Sequence, residues 1–399
     1  MAKLTMKKVW GRGVVEVGDA PALICASSGM HRAAHAQSTP CRGRAWPLPC
    51  AAMSAEATHP LSPDSPPRSA LITGAAGYLG STLAHHLVAE GWSVIGLDDL
   101  SNGHAESLPL SVPLIRGDVR DPEALSAALG RFGRAPEVVF HLAGLIAVGE
   151  SMQMPARYHS VNVGGTAALI EAAMEAGVEA IVQASSAAVL APTPAPDIRL
   201  DESARLAPES PYGETKVIAE ETLAAAVEIG RLSGASLRLF NLAGSAYGCA
   251  ERHHPETHLI PLAIAAARRQ REALSLFGDD FPTPDGTCLR DYVHIEDVVH
   301  AFAAAARRVL DRQRSGWAGY DVFHVGSGVG HSVREVIAMV EAVVGHDVPF
   351  VMKPRRLGDT AALIADPTRL GRTLGIHPSR DLERMVRDAA ALPIAARGR

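Results

Sequence analysis

Two short stretches carry side chains able to move a proton. "SPYGETK" (210–216) sets Tyr212 and Lys216 four positions apart, and "ASS" (184–186) ends an apolar run with Ser185 and Ser186. Positions i and i+4 share one face of a helix, so phenol and ammonium can meet on an element that opens near Pro211. A phenol with a pKa near ~10 is a poor base at neutral pH. Lowering it by ~3 units takes about 4 kcal/mol of favourable electrostatics. A buried pair can supply that, whereas a solvated pair cannot. Such a trio would remove or return a hydroxyl proton while hydride leaves or re-enters the adjacent carbon. Tyr-x-x-x-Lys alone also fits an ordinary surface helix, so the surrounding elements must decide.

A place for the hydride carrier lies near residue 75. Gly74, Gly77 and Gly80, with Tyr78 and Leu79 between them, form G-x-x-G-x-x-G between the apolar "ALIT" and the helical pattern "STLAHHLVAEG". Glycines there permit a tight turn and let backbone N–H groups approach a pyrophosphate at a helix N-terminus. Asp98 ends the following strand, "WSVIGLDDL". A carboxylate at that point accepts from ribose hydroxyls and repels a 2′-phosphate, which selects NAD over NADP. The bland alternative, a structural turn plus an exposed carboxylate, leaves this double placement unexplained.

The elements that must position these groups alternate. Strand patterns at 70–73, 92–100, 137–144, 179–186 and 235–241 are separated by helical patterns at 81–91, 162–177 and 211–230. This predicts an α/β fold, a Rossmann-type doubly wound parallel sheet over 69–245 that includes the serine, tyrosine and lysine. Beyond 245 the alternation loosens. Helices are expected at 258–273 and 332–345, the latter opening with the capping-box spacing Ser332-x-x-Glu335. Residues 246–399 should form a smaller C-terminal α/β lobe over the carboxyl edge of the sheet, with some segments returning to it.

Residues 1–68 differ in kind. They lack strand or helix periodicity and end in the Pro/Ser linker "LSPDSPP"; up to residue 52, Lys3, Lys7, Lys8, Arg12, Arg32, Arg42 and Arg44 face only Glu16 and Asp19. A basic, acid-poor leader resembles a transit peptide, but a flexible, disordered extension, or a start codon called too early with Met53 as the true start, is the simpler expectation. The 399-residue chain as a whole carries a net charge of −5, which argues against a general nucleic-acid binder. It lacks a membrane-length apolar run. No CxxC occurs, so a reducing cytoplasm and no disulfide framework are expected.

The motifs together resemble a known family. "TGAAGYLGS", "LDDLSNG", "GDVRD", "HLAGLIAVGESM" and "SPYGETK" are similar to the extended short-chain dehydrogenase/reductases; "FGDDFPTPDGTCLRDYVHIEDV" and "PRRLGD" narrow the likeness to the UDP-glucose 4-epimerase family. The resemblance runs from about Ala70 to Asp388. It implies a redox-neutral interconversion of UDP-glucose and UDP-galactose, with NAD retained, by oxidation at C4, turning of the keto sugar and return of hydride. Tyr212 would carry the O4 proton, Ser186 would bond O4, and Lys216 would bond the nicotinamide ribose and tune Tyr212. Asp98 and Asn102 would meet the adenosine ribose, Asp118 and Val119 the adenine. Leu142, Ala143 and Gly144 would line the pyrophosphate, with Asn162 and Phe240 near the nicotinamide. Asn241, His258, Leu259, Phe277, Arg290, Arg356 and Asp359 match UDP-sugar contacts, and arginine suits a diphosphate through its planar fork. The resemblance also implies a homodimer.

Departures from the family pattern bear on specificity. Ile146 stands where many members carry a lysine toward the cofactor phosphates. Leu190-Ala191 replaces a tyrosine-glycine after the serine, and His258 stands where some members use asparagine. Leu363 falls where side-chain size influences acceptance of N-acetylated sugars; a mid-sized leucine favours UDP-glucose and UDP-galactose. The rivals are a 4-epimerase for another UDP-sugar (N-acetylglucosamine, xylose/arabinose or a uronic acid) and an NAD-sensing regulatory protein on the same fold. A 4,6-dehydratase would need an Asp-Glu pair where Ala187-Ala188 stands.

Other clusters have plainer readings. His253, His254 and His258 lack a neighbouring cysteine or HExxH, so a loop closing over the nucleotide is expected and no metal. Asp291, His294 and Asp297 should mark a strand end and a helix start. Met152 and Met154 are expected to pack at the edge of the site. Arg268, Arg269 and Arg271 should form a solvated helix face.

Overall fold

Among the residues described by the computed structural model (68–193, 197–230, 232–316, 318–356 and 359–392), seven parallel strands form the central sheet. The expectations for residues 1–67 lie outside the described residues. The first half alternates as β1 (Ser69–Thr73), α1 (Tyr78–Ala89), β2 (Ser93–Asp98), β3 (Leu114–Arg116), α2 (Pro122–Gly130) and β4 (Val138–His141). Short helices α3 (Val148–Ser151) and α4 (Pro155–Tyr158) lead through a π-turn (His159–Gly164) into α5 (Gly165–Ala176). Then come β5 (Ala180–Ser186), α6 (Pro211–Glu228) and β6 (Ser233–Leu239).

The second half continues with β7 (Asn241–Ala243), α7 (Leu259–Ala267), β8 (Leu274–Phe277), β9 (Leu289–His294), α8 (Ile295–Arg314) and β10 (Tyr320–Val325). It ends with β11 (Gly330–Ser332), α9 (Val333–Val344), β12 (Phe350–Lys353), β13 (Ala362–Leu363), α10 (Thr368–Leu374) and α11 (Leu382–Ala391).

The large sheet runs β10-β6-β5-β4-β1-β2-β3. The chain winds outward from β1 to β3, then returns to start β4 on the other side of β1. That reversal between β1 and β4 is the crevice where ligands of doubly wound sheets bind. Side chains alternate across the sheet with period two. Ala70, Ile72, Phe140 and Val182 face one apolar layer with α1 and α8; Leu71, Val139 and Ile181 face another with α2, α5 and α6. Both faces are covered, so these strands read as continuous apolar runs. α8 presents Ala301, Ala303, Ala305 and Ala306 to its layer, all fully buried, and small side chains let it lie close to the sheet.

A smaller assembly lies after β6. β9 pairs with β11, β13 and β7; β8 pairs with β12; and α7, α9 and α11 share a third apolar cluster with Leu276, Tyr292 and Met385. α9 begins with the expected capping box, Ser332 accepting from the Glu335 N–H while the Glu335 carboxylate accepts from the Ser332 N–H. α5 stops at Gly177, whose φ of 81° takes the left-handed conformation that ends helices.

Three expectations are corrected. The helix at 258–273 stops at Ala267, and the chain turns at Arg269 with φ 57°. Arg268, Arg269 and Arg271 therefore lie in a turn, and Arg268 donates to the Ala390 carbonyl. The helix expected from 162 begins at Gly165, because Asn162 belongs to the π-turn. Met152 and Met154 are exposed rather than packed.

Candidate active site

The glycine turn leaves β1 at the sheet's carboxyl edge. Gly74 has φ 69°, and a Cβ there would lie 2.7 Å from the Ala143 nitrogen in the loop after β4. A Cβ on Gly80 would lie 2.1 Å from the Gly74 carbonyl oxygen. Side chains at either point would push the turn off the sheet edge and off the start of α1. The first-turn N–H groups of α1, including those of Tyr78, Leu79 and Gly80, have no partner within the helix by geometry and suit an anion. Asp98 closes β2 beside this turn: one carboxylate oxygen accepts from the Ala76 N–H (2.9 Å), the other from the Leu100 N–H (2.8 Å). Burial raises its pKa against those two bonds. A carboxylate has about four acceptor positions, so Asp98 can shape the turn and still receive ribose hydroxyls. The residues present therefore fit a dinucleotide. Val119 is buried, whereas Asn102 is exposed and the Asp118 carboxylate is clasped by Arg120 (2.5 Å).

Ser186, Tyr212 and Lys216 lie around the end of β5. Ser186 ends β5, and its Oγ accepts from the Ala188 N–H at 3.1 Å, which leaves its own O–H free as a donor beside the Tyr212 phenol. Tyr212 sits in the first turn of α6 behind an N-cap, Ser210 Oγ, that accepts from the Gly213 N–H (3.2 Å). Gly213 has a steric reason to be there: a Cβ would lie 2.4 Å from the Ala188 carbonyl oxygen. The glycine thus lets α6 close onto the turn after Ser186 and carry the phenol to the serine. Lys216, buried one turn later, donates to the Ala184 carbonyl at 2.9 Å.

Burial pushes the Tyr212 phenol above its ordinary value, and the Ser186 bond pulls it back. Burial also lowers Lys216 to about 8, opposed by Glu220. Burial and the neighbouring serine thus act in opposite directions on the phenol's proton affinity. Lowering it further requires positive charge brought against the ring.

A buried polar chain links this site to the crevice. Thr166 Oγ1 donates to the Asn162 carbonyl (2.6 Å), so the His141 Nε2–H must donate to Thr166 (3.0 Å) and His141 Nδ1 must accept from Thr73 (2.8 Å). Burial lowers His141 to about 3, so the ring is neutral, as this chain of donors demands. The Asn162 side chain accepts from the Leu145 N–H (2.8 Å) and donates to the Leu145 carbonyl and to Thr215 Oγ1 (both 3.0 Å). An added Cβ on Gly144 would come within 3.0 Å of Asn162 Oδ1 and 3.7 Å of Lys216 Nζ, so these three residues are neighbours. Thr73, His141, Thr166 and Thr215 are missed by the sequence reading. Their signal, polar residues inside apolar strands and helices, is weak without the fold.

The other half of the site hangs on β9. Asn241 of β7 lies opposite Tyr292, and Leu363 of β13 lies opposite Arg290. Arg290 approaches Asp359 at 3.5 Å and donates to the Thr360 carbonyl at 3.0 Å. The Arg356 guanidinium stacks 3.8 Å from the centre of the Phe277 ring. Leu363 packs with Ala187, Val189, Leu190 and the buried Phe240, which joins this half to the turn after Ser186. His258 occupies the N-cap position of α7 ahead of Leu259 without a side-chain cap bond, and its Nδ1 faces Glu256 (2.8 Å) and Glu251 (3.7 Å). Asp291 and His294 are structural: Asp291 accepts from the Ser327, Gly328 and Ala365 N–H groups, and His294 caps α8.

Comparison with known proteins agrees with this geometry. Residues 70–320 match the NAD dependent epimerase/dehydratase family. The chain is 40% identical to the UDP-glucose 4-epimerase of Streptomyces lividans over 321 residues, covering 80% of this chain and 94% of that protein. The crystal structure of UDP-glucose 4-epimerase from Brucella ovis in complex with NAD superposes with a TM-score of 0.75 at 35% identity, covering 81% of this chain and 98% of that one. The Stenotrophomonas maltophila UDP-glucose-4-epimerase, with bound NAD and formylated UDP-arabinopyranose, gives 0.76 at 33%, covering 81% and 97%.

Proposed function

The chain belongs to the NAD dependent epimerase/dehydratase family, and we propose that it is an NAD-dependent 4-epimerase interconverting UDP-glucose and UDP-galactose. One observation carries the reading: the close approach of Gly213 to Ala188 brings Tyr212 beside Ser186 at the edge of a sheet whose glycine turn fits a dinucleotide, with β13 packed against the turn after Ser186. When bound, NAD supplies the acceptor and donor of hydride at C4 of the sugar. Tyr212 takes the O4 proton as the C4–H bond breaks, and Ser186 donates to the same oxygen. The product is a 4-keto sugar still held by its UDP. After the sugar turns, Tyr212 returns the proton and the other epimer forms, with no net oxidation.

Lys216, Asn162, Gly144 and Phe240 line the nicotinamide end. Leu142 and Ala143 border the pyrophosphate, Asp98 and Asn102 the ribose, and Asp118 and Val119 the adenine. Arg290 and Arg356 hold the diphosphate, with Asp359, Phe277, Leu259, His258 and Asn241 around the nucleotide and sugar. Residues 69–245 serve mainly the cofactor and 246–399 mainly the UDP-sugar, with α8 and β10 returning to the main sheet. The homodimer and cytoplasmic location implied by the family are part of this proposal. No described helix is long and apolar enough to cross a membrane, and Cys249 and Cys288 are free thiols that fit a reducing compartment.

Leu363, directly across from Arg290, argues for the smaller hexoses over N-acetylated ones. A panel of UDP-sugars assayed for the 4-epimer tests this. UDP-galactose should exceed UDP-N-acetylglucosamine in kcat/KM by at least about 10-fold, the scale of one steric mismatch in a pocket. Equal values, or preference for a pentose or uronic acid, would replace the hexose assignment.

A further inference from the structure

A chain of contacts joins the cofactor turn to α11, and no step of the proposed chemistry uses it. The Tyr78 phenol, at the start of α1, donates to the Gly244 carbonyl just after β7 (2.7 Å). Gly244 in turn lies against the imidazole of His294: a Cβ there would fall 2.4 Å from its Cδ2 and Nε2. His294 is fully buried at the end of β9, paired in register with Ala243 of β7. Its Nδ1 accepts from the Glu296 N–H (3.1 Å), so its proton sits on Nε2 and is donated to the Asp388 carboxylate of α11 (3.1 Å). Ser245, next to Gly244, donates to the Asp388 carbonyl (2.6 Å). One residue of α11 thus holds both the loop and the ring beneath it.

α11 is itself fastened. Ahead of the helix, Arg380 pairs with Glu296 (2.8 Å) and with Asp297, both in the first turn of α8. Within it, Arg384 donates to the Asp388 carboxylate (2.6 Å). At its end, Arg268 donates to the Ala390 carbonyl. Burial and Arg380 hold the His294 imidazole below its ordinary pKa, so it meets Asp388 as a neutral donor. Hydrogen bonds to an ionised acceptor are among the stronger ones.

Tyr78 carries one of the first-turn N–H groups of α1 that suit a pyrophosphate, and its ring is tethered on the other half of the molecule. A redox-neutral cycle needs such a tether, because reduced cofactor that leaves midway strands a keto sugar. We infer that Asp388 and His294 are positioning residues for the cofactor: through Gly244 and Tyr78 they fix the glycine turn and so retain NAD through the cycle. This rests on the NAD-dependent reading above.

The test uses full-length protein purified with its NAD and then gel-filtered, the NAD released by denaturation being quantified at intervals. Wild type should keep its NAD. Asp388→Ala should lose it about 10-fold faster, the scale of one buried hydrogen bond to a charged group. Asp388→Asn keeps an acceptor for the His294 Nε2–H and should restore slow loss to within about 2-fold of wild type. Tyr78→Phe should lose NAD as fast as Asp388→Ala, and the double variant no faster than either, because both cut one path. With NAD at saturation, kcat of Asp388→Ala should stay within about 3-fold of wild type, which places the effect on cofactor retention. Arg387→Ala removes an ion pair with Glu383 on the outer face of the same helix; it controls for loosened packing and should leave NAD loss unchanged. A wild type that yields no NAD overturns the cofactor reading and this inference with it. The inference alone is overturned if wild type holds NAD and Asp388→Ala and Tyr78→Phe lose it no faster, if their effects add in the double variant, or if Arg387→Ala loses it equally fast.

Discussion

Tyr212→Phe is expected to lower turnover by about 10²–10⁴-fold, the usual share of a positioned acid/base, while UDP affinity and bound NAD stay near wild type. The substitution removes one oxygen from a ring that is 7% exposed and packed edge-on against Tyr158, so the packing survives. Only the path for the O4 proton is lost. Ser186 cannot substitute, because an aliphatic hydroxyl is a far weaker acid than a phenol and its Oγ already accepts from the Ala188 N–H. Steady-state kinetics with UDP-galactose, together with UDP titration, reads both halves. Unimpaired turnover would take Tyr212 out of the mechanism.

Glu220→Ala should cost about 3–5 kcal/mol of stability, the scale of breaking a buried ion pair on one side. Glu220 lies on the Tyr212 helix, and both its oxygens receive the Arg238 guanidinium of β6 at 2.7–3.2 Å. It also accepts from Ser185, the neighbour of Ser186, at 2.5 Å. Both partners of the ion pair are only 6% exposed, so truncation strands a buried guanidinium. Because the pair anchors α6 to β5 and β6, activity should fall along with the urea midpoint. Glu220→Gln, which keeps an acceptor and the volume, should lose less. A loss below about 1 kcal/mol, the average for an arbitrary substitution, would show that the pair does not anchor the helix.

What could be read from the linear chain was the local part. In "SPYGETK", Pro211 fits the first turn and Tyr212 and Lys216 share a face, whereas the reason for Gly213, the approach of the Ala188 backbone, is seen only in the fold. The glycine turn and Asp98 were legible for the same reason, since their spacing is set by one strand–helix–strand unit. Contacts that depend on pairing distant segments were not. Glu220 meets Arg238, His141 meets Thr73, and Arg290 lies across from Leu363. Each partner sits on a different element, and period alone cannot say which strands adjoin. The carboxylate partners of His258 were hidden in the same way, since Glu251 and Glu256 reach it only through the loop's turn. The end of α7 was overrun because Arg269 adopts a left-handed conformation that its residue type does not announce.

The most direct test of the central claim is turnover without added cofactor. Purified protein is incubated with UDP-galactose alone, UDP-glucose is quantified, and absorbance is followed for reduced nicotinamide. The account predicts many turnovers of UDP-glucose per chain, NAD released on denaturation, and no accumulation of NADH beyond the enzyme concentration. Conversion that stops without a steady supply of NAD, or that yields a stoichiometric keto sugar and NADH, would contradict it.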